Sequence, residues 1–321
     1  MSNNKTTLVI DGDHLCHRHL YQPGLRKLSN SQGVPTGLVM GVLDQLNFMH
    51  LSTVNTIESI YFVMGGGSCK WRRDIYPEYK FKSEEDRAAF KAVQPGDNFS
   101  SAEILTYARK ILKEFLPALG VKYVEYPNYE ADEIGYFICY RLNMIGKEVM
   151  AISDDFDWTQ LCLHIGCTVN RAIKDDYVSP SSFKAQFGYP LEGVILYQAL
   201  IGGHDNLPKP LDGFGKKSII KMLNELKDFS LMGVREWALS QKPGSKKHKL
   251  ADPEVQEILK MNIELVDFTQ APLTEGIKTY IDGHIKDKRR ADPSKINKLM
   301  DKYEFNKLRE NLQLVNFLKL R

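Results

Sequence analysis

The sequence predicts an α/β fold, with a central, mostly parallel sheet flanked by helices and a second region built of helices alone. Three observations predict it. Short apolar runs alternate with stretches of helical period as far as about residue 190, the order that builds a parallel sheet. Several of those runs stop abruptly at carboxylates, as strands do when they deliver side chains to the ligand-binding edge of an open sheet. From about Leu191 onward only helices and loops are legible, which places a soft boundary there: an α/β domain over 1–190 and a helical domain over 191–321.

The first strand pattern is Thr7-Leu8-Val9-Ile10, ending at Asp11-Gly12-Asp13. In isolation Asp11 is also a plausible turn former, because Asp-Gly is a common turn pair. A helix is expected from about Thr36 to Met49, with Leu38, Val42, Leu46 and Met49 recurring at helical spacing. Ile60 to Met64 is the second strand, and it ends in Gly65-Gly66-Gly67. No helix opening with a Lys-Ser/Thr pair follows the glycines, so a phosphate-binding P-loop is not indicated.

The stretch from Lys70 to Lys82 interleaves Arg72, Arg73, Lys80 and Lys82 with Trp71, Tyr76, Tyr79 and Phe81. Bases alternating with aromatics suit phosphate contact and base stacking. A solvated charged loop is the bland alternative, and the density of aromatics argues against it. Ser83 to Phe99 is strongly charged and broken at Pro95-Gly96, and it reads as a mobile excursion. Ser101 to Leu116 is an amphipathic helix with Ser101 as its expected cap, and Lys122 to Tyr126 is a strand.

The acidic centre comes next. Tyr129-Glu130-Ala131-Asp132-Glu133 opens a helix, and Val149 to Ile152 is a buried strand that ends in Ser153-Asp154-Asp155-Phe156-Asp157. Glu130 and Glu133 alone are explained by capping, since acids suit a helix N-terminus. Two acidic clusters flanking one helix–strand unit are harder to explain that way. Packed carboxylates repel unless hard cations neutralise them, and oxygen-rich sites suit Mg²⁺ or Mn²⁺.

Thr168-Val169-Asn170 and Asp176-Tyr177-Val178 read as edge strands or a hairpin. Gly202-Gly203-His204-Asp205-Asn206 ends one helix, and Asp212-Gly213-Phe214-Gly215-Lys216-Lys217-Ser218 starts another. Glycines let backbone approach a ligand closely, and a helix N-terminus offers free N–H groups to phosphate. A plain glycine turn between core helices is the alternative. Lys242 to Lys249 is also basic, so the tail is the positive part of a chain whose formal net charge is only +3. A hydrophobic content of 43% supports a real core. The five cysteines are scattered and read as reduced, buried thiols. No stretch is long and apolar enough to span a bilayer, and the polar N-terminus runs straight into a strand, so no signal peptide is expected.

Taken together, these motifs resemble the structure-specific 5′ nucleases, or flap endonucleases, whose nearest branch here is the T-even type of bacteriophage ribonuclease H and 5′ exonuclease. The resemblance runs from Leu8 to about Leu223. It rests on Leu8-Val9-Ile10-Asp11-Gly12, Pro35 to Gly41, Trp71-Arg72-Arg73 with Pro77-Glu78-Tyr79-Lys80, the two central acidic motifs, Asp205-Asn206, and Gly213 to Lys217. Each is short, but their joint order is specific. The resemblance implies a PIN-like core, a helical arch over about 70–100, and a helix-turn-helix clamp for duplex DNA in the helical domain. It also shows two departures. Gly65 stands where the family carries an aspartate, and the last motif keeps only the second of two aspartates.

The implied activity is two-metal phosphodiester hydrolysis by a 5′-3′ exonuclease and flap endonuclease with ribonuclease H activity, acting on flaps, nicks or RNA primers in replication. By the resemblance, Asp11, Glu130, Asp132 and Asp155 serve one Mg²⁺, for which Mn²⁺ can substitute, and Asp157 and Asp205 serve the other. Lys80 and Arg72 stabilise the scissile phosphate. Arg73, Tyr79 and Lys82 contact the unpaired strand. Gly213, Gly215, Lys216 and Lys217 grip duplex backbone, with K⁺ a further cofactor at the helix-turn-helix. A monomer in the cytoplasm, that of a host if the chain is phage-encoded, would work beside a single-strand-binding protein, a polymerase or a clamp. The rival reading is a nuclease-weakened binder of DNA junctions, since two ligands are missing. With Gly65 lacking its carboxylate, Gly65→Asp is expected to lower the Mg²⁺ requirement.

Overall fold

The computed structural model describes residues 5–53, 57–171 and 176–311, and the chain divides into two compact units. The first comprises residues 1–67, 82–153 and 274–321, and the second residues 68–81 and 154–273. The boundary expected at 190/191 falls inside the second unit, and the last helices return to the first.

Four strands form the sheet of the first unit: β1 (Thr6–Asp11), β2 (Ile57–Gly66), β3 (Lys122–Pro127) and β4 (Glu148–Ile152). They run parallel in the order β3-β2-β1-β4, with β1 between β2 and β4. Helices cover both faces, so the strands read as apolar runs without alternation. Val9, Phe62, Val63 and Val124 are fully buried, as are Leu112, Phe115 and Ile138 from the helices. Because every crossover returns the chain in the same direction, all four carboxyl ends point to one edge. That edge receives Asp11, Gly65 and Ser153.

The helix expected after Thr36 spans Gly37–Thr53. The amphipathic helix expected from Ser101 spans Ser101–Ala118, and its cap is Ser100 rather than Ser101. The Ser100 hydroxyl accepts the Glu103 amide at 3.2 Å, and the Glu103 carboxylate accepts the Ser100 amide at 2.8 Å. This reciprocal box satisfies two orphan donors at once, which Ser101 one position later has no geometry to do. The charged excursion contains a helix, Glu84–Lys91, closed by the same kind of box at Ser83 and with no buried residue. Glu275–Lys286 and Pro293–Tyr303 also belong to the first unit, where Arg141 holds Asp282 at 2.8 Å and Phe305 packs edge-on against Phe115.

The second unit holds the expected hairpin, β5 (Thr168–Arg171) against β6 (Asp176–Val178), paired antiparallel. The rest is helical. Val194–Ile201 packs with Pro253–Val266, tied by the fully buried Asn262, whose amide donates to the Ala199 and Pro208 carbonyls at 2.9 and 2.8 Å. All five cysteines are buried, and none is in a disulfide. No helix among the described residues is long and apolar enough to cross a membrane.

Candidate active site

In the first unit the site begins at the end of β1. Asp11 is 4% exposed. One carboxylate oxygen accepts the His14 amide at 2.9 Å, capping the helix Gly12–Leu20, and the other accepts the Ser153 hydroxyl at 2.8 Å from the end of β4. Asp11 thus has a structural role, as a helix cap rather than as a turn former. Burial, and then the charge of Asp132, hold its carboxyl well above the ordinary range despite those two hydrogen bonds. The carboxylate is therefore kept in place where its charge is disfavoured, as is common for acids at functional sites.

Glu130 caps the helix Ala131–Met144, and the fully buried Glu133 accepts the Glu130 amide at 2.9 Å. Glu133 is thus absorbed by the helix start, as the capping reading expects. Asp132, on the same first turn, is only partly buried.

Asp13, which the sequence offers only as part of a turn, reaches the main chain at Gly65. The Gly65 amide donates to Asp13 Oδ2 at 2.9 Å. A Cβ built on Gly65 would lie 2.7 Å from that same oxygen and 3.3 Å from the Ala131 nitrogen. The space beside the acidic helix start is therefore already filled by a carboxylate that arrives from the neighbouring strand end. Arg109 holds it there, donating to Asp13 Oδ1 at 2.8 Å and to the Gly65 carbonyl at 2.9 Å. Burial raises the Asp13 pKa, with Arg109 and the Gly65 amide offsetting part of the shift. A side chain introduced by Gly65→Asp would therefore require the Asp13 carboxylate to move aside. No pattern in the sequence marks Arg109, which sits mid-helix among other polar residues.

The second unit carries the remaining acids. Asp155 is exposed, and its carboxylate accepts the Asp157 amide at 3.1 Å. Asp157 accepts a hydrogen bond from Gln198 Nε2 at 2.6 Å. The Gln198 carbonyl is held in turn by Gln160 at 2.7 Å, and Gln160 also donates to the Val266 carbonyl at 2.9 Å. Both glutamines are buried. This chain of hydrogen bonds fixes the orientation of Asp157, and nothing in the sequence singles out two helical glutamines.

Asp205 lies in a loop with an uncommon backbone. Asp205, Asn206 and Lys80 all have positive φ, at 50°, 63° and 49°. Such conformations cost of order 1 kcal/mol or more for residues with a side chain and persist only where surrounding contacts impose them. The contacts are present. The Lys80 amide donates to the Asp205 carbonyl at 3.0 Å, and Asn206 Nδ2 donates to the Glu78 and Phe81 carbonyls at 3.0 and 2.8 Å. Lys80 Nζ stands 3.5 Å from Asp205 Oδ2, and the Tyr79 hydroxyl donates to that oxygen at 3.4 Å. The turn 78–81 is thereby clamped to the last acidic motif.

That clamp changes the roles expected of two residues. Arg72 is 2% exposed and donates to the Leu265 carbonyl at 2.9 Å and the Tyr79 hydroxyl at 3.2 Å. Tyr79 is 4% exposed. Both face inward and brace the turn, so neither offers itself to phosphate or base. Arg73, Phe81 and Lys82 are exposed.

At the glycine turn, Gly213 has φ 69° and faces the Lys246 ammonium, and Gly215 precedes the helix Lys216–Glu225 without a side-chain cap. Lys216, Lys217 and Lys246 are all exposed. An uncapped helix start with three lysines beside it is suited to phosphate.

Among the described residues no three His, Cys, Asp or Glu side chains are already gathered as a metal-holding group. Asp13 and Glu133 are engaged by the protein itself; Asp11, Glu130 and Asp132 belong to the first unit, and Asp155, Asp157 and Asp205 to the second. The donor chemistry still fits a hard divalent cation. Asp11 is buried against like charge and oriented from two sides, an arrangement that a cation would relieve.

A family model, the 5′-3′ exonuclease N-terminal resolvase-like domain, matches residues 6–188. A 5′-3′ exonuclease from Aquifex aeolicus is 25% identical over 249 residues, which are 77% of this chain and 78% of that protein. DNA polymerase I of Bacillus caldotenax is 27% identical over 225 residues, which are 69% of this chain and 23% of the polymerase. A crystal structure of the T5 D15 protein co-crystallised with metal ions aligns over 94% of this chain and 99% of that one, with a TM-score of 0.64 at 14% identity. The bacteriophage T5 D15 flap endonuclease, in a pseudo-enzyme–product complex with DNA and metal ions, aligns over 96% and 100% with a TM-score of 0.60 at 16% identity. At these identities the structural likeness bears on the fold.

Proposed function

The chain belongs to the 5′-3′ exonuclease family, and on that premise we propose that it is a divalent-metal-dependent 5′-3′ exonuclease and flap endonuclease. Its substrates are 5′ ends of DNA or RNA–DNA hybrids, including 5′ flaps and the RNA primers of replication. The observation that carries the reading is Asp11: a buried, oriented carboxylate at a strand end, disfavoured by its own surroundings. A T5 5′-exonuclease of the same fold has been solved with divalent zinc bound, which agrees with a hard-ligand metal site here.

Asp11, Glu130, Asp132 and Asp155 would hold one cation, and Asp157 and Asp205 the other. Bound there, the cations supply Lewis-acid stabilisation and a water of lowered pKa. The chain's own groups do the positioning. Ser153 and the His14 amide fix Asp11, and Gln198 fixes Asp157. Lys80, held near Asp205 by the clamped turn, presents its charge to the scissile phosphate. Arg73 and Lys82 contact phosphate, and Phe81, 58% exposed, is better placed than Tyr79 to stack on an unpaired base. Lys216 and Lys217 grip duplex backbone without reading sequence.

The test is a 5′-labelled flap substrate with and without Mg²⁺. Short labelled products that appear only with metal support the proposal. Tight flap binding without cleavage in Mg²⁺ or Mn²⁺ would instead favour the junction-binder reading. The observation behind that alternative is the glycines at 65 and 202–203, which leave the acidic set short of carboxylates.

A further inference from the structure

The first unit has a cavity at the opposite end of its sheet from the acids, where the strands begin. Its volume is about 550 Å³, in the range of small-molecule sites. Thr7 on β1 and Ser59 on β2 are register partners there, and so are Tyr61 on β2 and Lys122 on β3. All four side chains line the cavity and are nearly or fully buried, Lys122 at 4% exposure.

Lys122 is the unusual member. Its ammonium donates to the Tyr61 hydroxyl at 3.0 Å and lies 4.6 Å from that ring's centroid. A buried ammonium ordinarily has a carboxylate partner. The two acids of the cavity are engaged elsewhere, Glu58 with Lys147 at 2.6 Å and Asp287 with Arg289 at 2.9 Å. Burial lowers the Lys122 pKa, and the attraction of Asp287 and Glu58 offsets only part of that shift. Lys288 and Arg290 also line the cavity, and neither has an ion-pair partner among the described residues. Leu142, Ile145 and Ile285 add apolar surface to the lining.

We propose that this cavity binds a small phosphomonoester of nucleoside-monophosphate size, with its phosphate on Lys122, Lys288 and Arg290 and its apolar body against Leu142, Ile145 and Ile285. Four cations, Lys122, Lys147, Lys288 and Arg290, outnumber the two acids Glu58 and Asp287 in the lining, and that net positive charge suits a doubly charged phosphate better than a single carboxylate. The volume leaves room for a base and sugar beyond it. The site is separate from the acidic edge and does not depend on the nuclease reading.

The experiment is calorimetric titration of the full chain with AMP, adenosine and inorganic phosphate in EDTA, so that no metal-held phosphate contributes. Wild type should bind one AMP per chain, inorganic phosphate more weakly, and adenosine not measurably. Lys288→Glu, a surface change, should weaken AMP at least about tenfold, as removal of a charge-assisted hydrogen bond does. Lys122→Met should do the same while its thermal unfolding shows it folded. Absence of saturable AMP binding would overturn the proposal. So would equal binding of adenosine and AMP, or AMP affinity untouched by Lys288→Glu and lost in Lys216→Ala with Lys217→Ala.

Discussion

The two ends of the first unit's sheet carry opposite chemistry. At the carboxyl end Asp11 and Asp13 are crowded with Asp132 nearby, and burial disfavours their charge. At the amino end Lys122 is buried with a phenol for a partner, and Lys288 and Arg290 line the same cavity. One scaffold therefore holds an excess of negative charge at one edge and of positive charge at the other. The comparison teaches that both edges hold charge under burial that disfavours it, on Asp11 and Asp13 at one and on Lys122 at the other.

Asp11→Asn is the substitution expected to break the acidic end most completely. Loss of a group merely outside a metal's ligand set costs about 10–100-fold in affinity or activity, so loss of a ligand should lower cleavage by about 100-fold or more. The same variant should unfold at a higher temperature than wild type when both are metal-free. The sign follows from the raised pKa. Asp11 favours the fold when protonated, at pH below the ordinary carboxylate value of about 3.9, and that contribution is lost as pH rises through the raised folded value. Thermal melts across pH in EDTA should show this decline in wild type and a shallower one in the variant.

How much of this is legible in the sequence depends on what each residue's neighbours reveal. The strands are legible because Leu8-Val9-Ile10 and Val149 to Ile152 are apolar runs cut off by aspartates, and that pattern has few other meanings. Asp13 escapes notice because Asp-Gly turns are common and its partner, Gly65, lies 52 positions away. Arg72 and Tyr79 read as outward-facing because a short basic, aromatic loop has no period from which burial can be inferred. Gln160 and Gln198 look like any polar helical residues until their burial is known. The helices Glu275–Lys286 and Pro293–Tyr303 are recognisable as helices, but amphipathic pattern does not say which core a helix joins.

Outside the sheet, the lysines of the glycine turn provide the next largest effect. Lys216→Ala with Lys217→Ala should weaken duplex affinity and reduce the steepness of its salt dependence by about 0.9 for each phosphate no longer neutralised. Fluorescence anisotropy across a salt series measures both. An unchanged slope would mean that the turn is only structural.

Gly65→Asp sharpens the picture of Asp13. The new side chain would displace Asp13 Oδ2, and overpacking of this kind costs about 1–3 kcal/mol. Pairing it with Asp13→Ser should restore most of that stability, because one carboxylate then occupies the place of the other. Chemical denaturation of the single and double variants decides the matter, and equal destabilisation in both would show that Asp13 does not fill that position.

Lys122→Met should have the smallest effect, a gain of about 1 kcal/mol at neutral pH from removing an incompletely paired buried charge. Lys122 has a lowered folded pKa, so its penalty on the fold is greatest at low and neutral pH and fades as pH rises toward the ordinary lysine value of about 10.4. The gain measured by denaturation should shrink over the same range.

The central claim is that the carboxyl edge of the sheet is built for divalent metal, and Mn²⁺ titration of the metal-free chain tests it most directly. Wild type should bind Mn²⁺ saturably, and Asp11→Asn should bind it at least about tenfold more weakly. Superimposable isotherms for the two proteins, or no binding by wild type at all, would contradict the account.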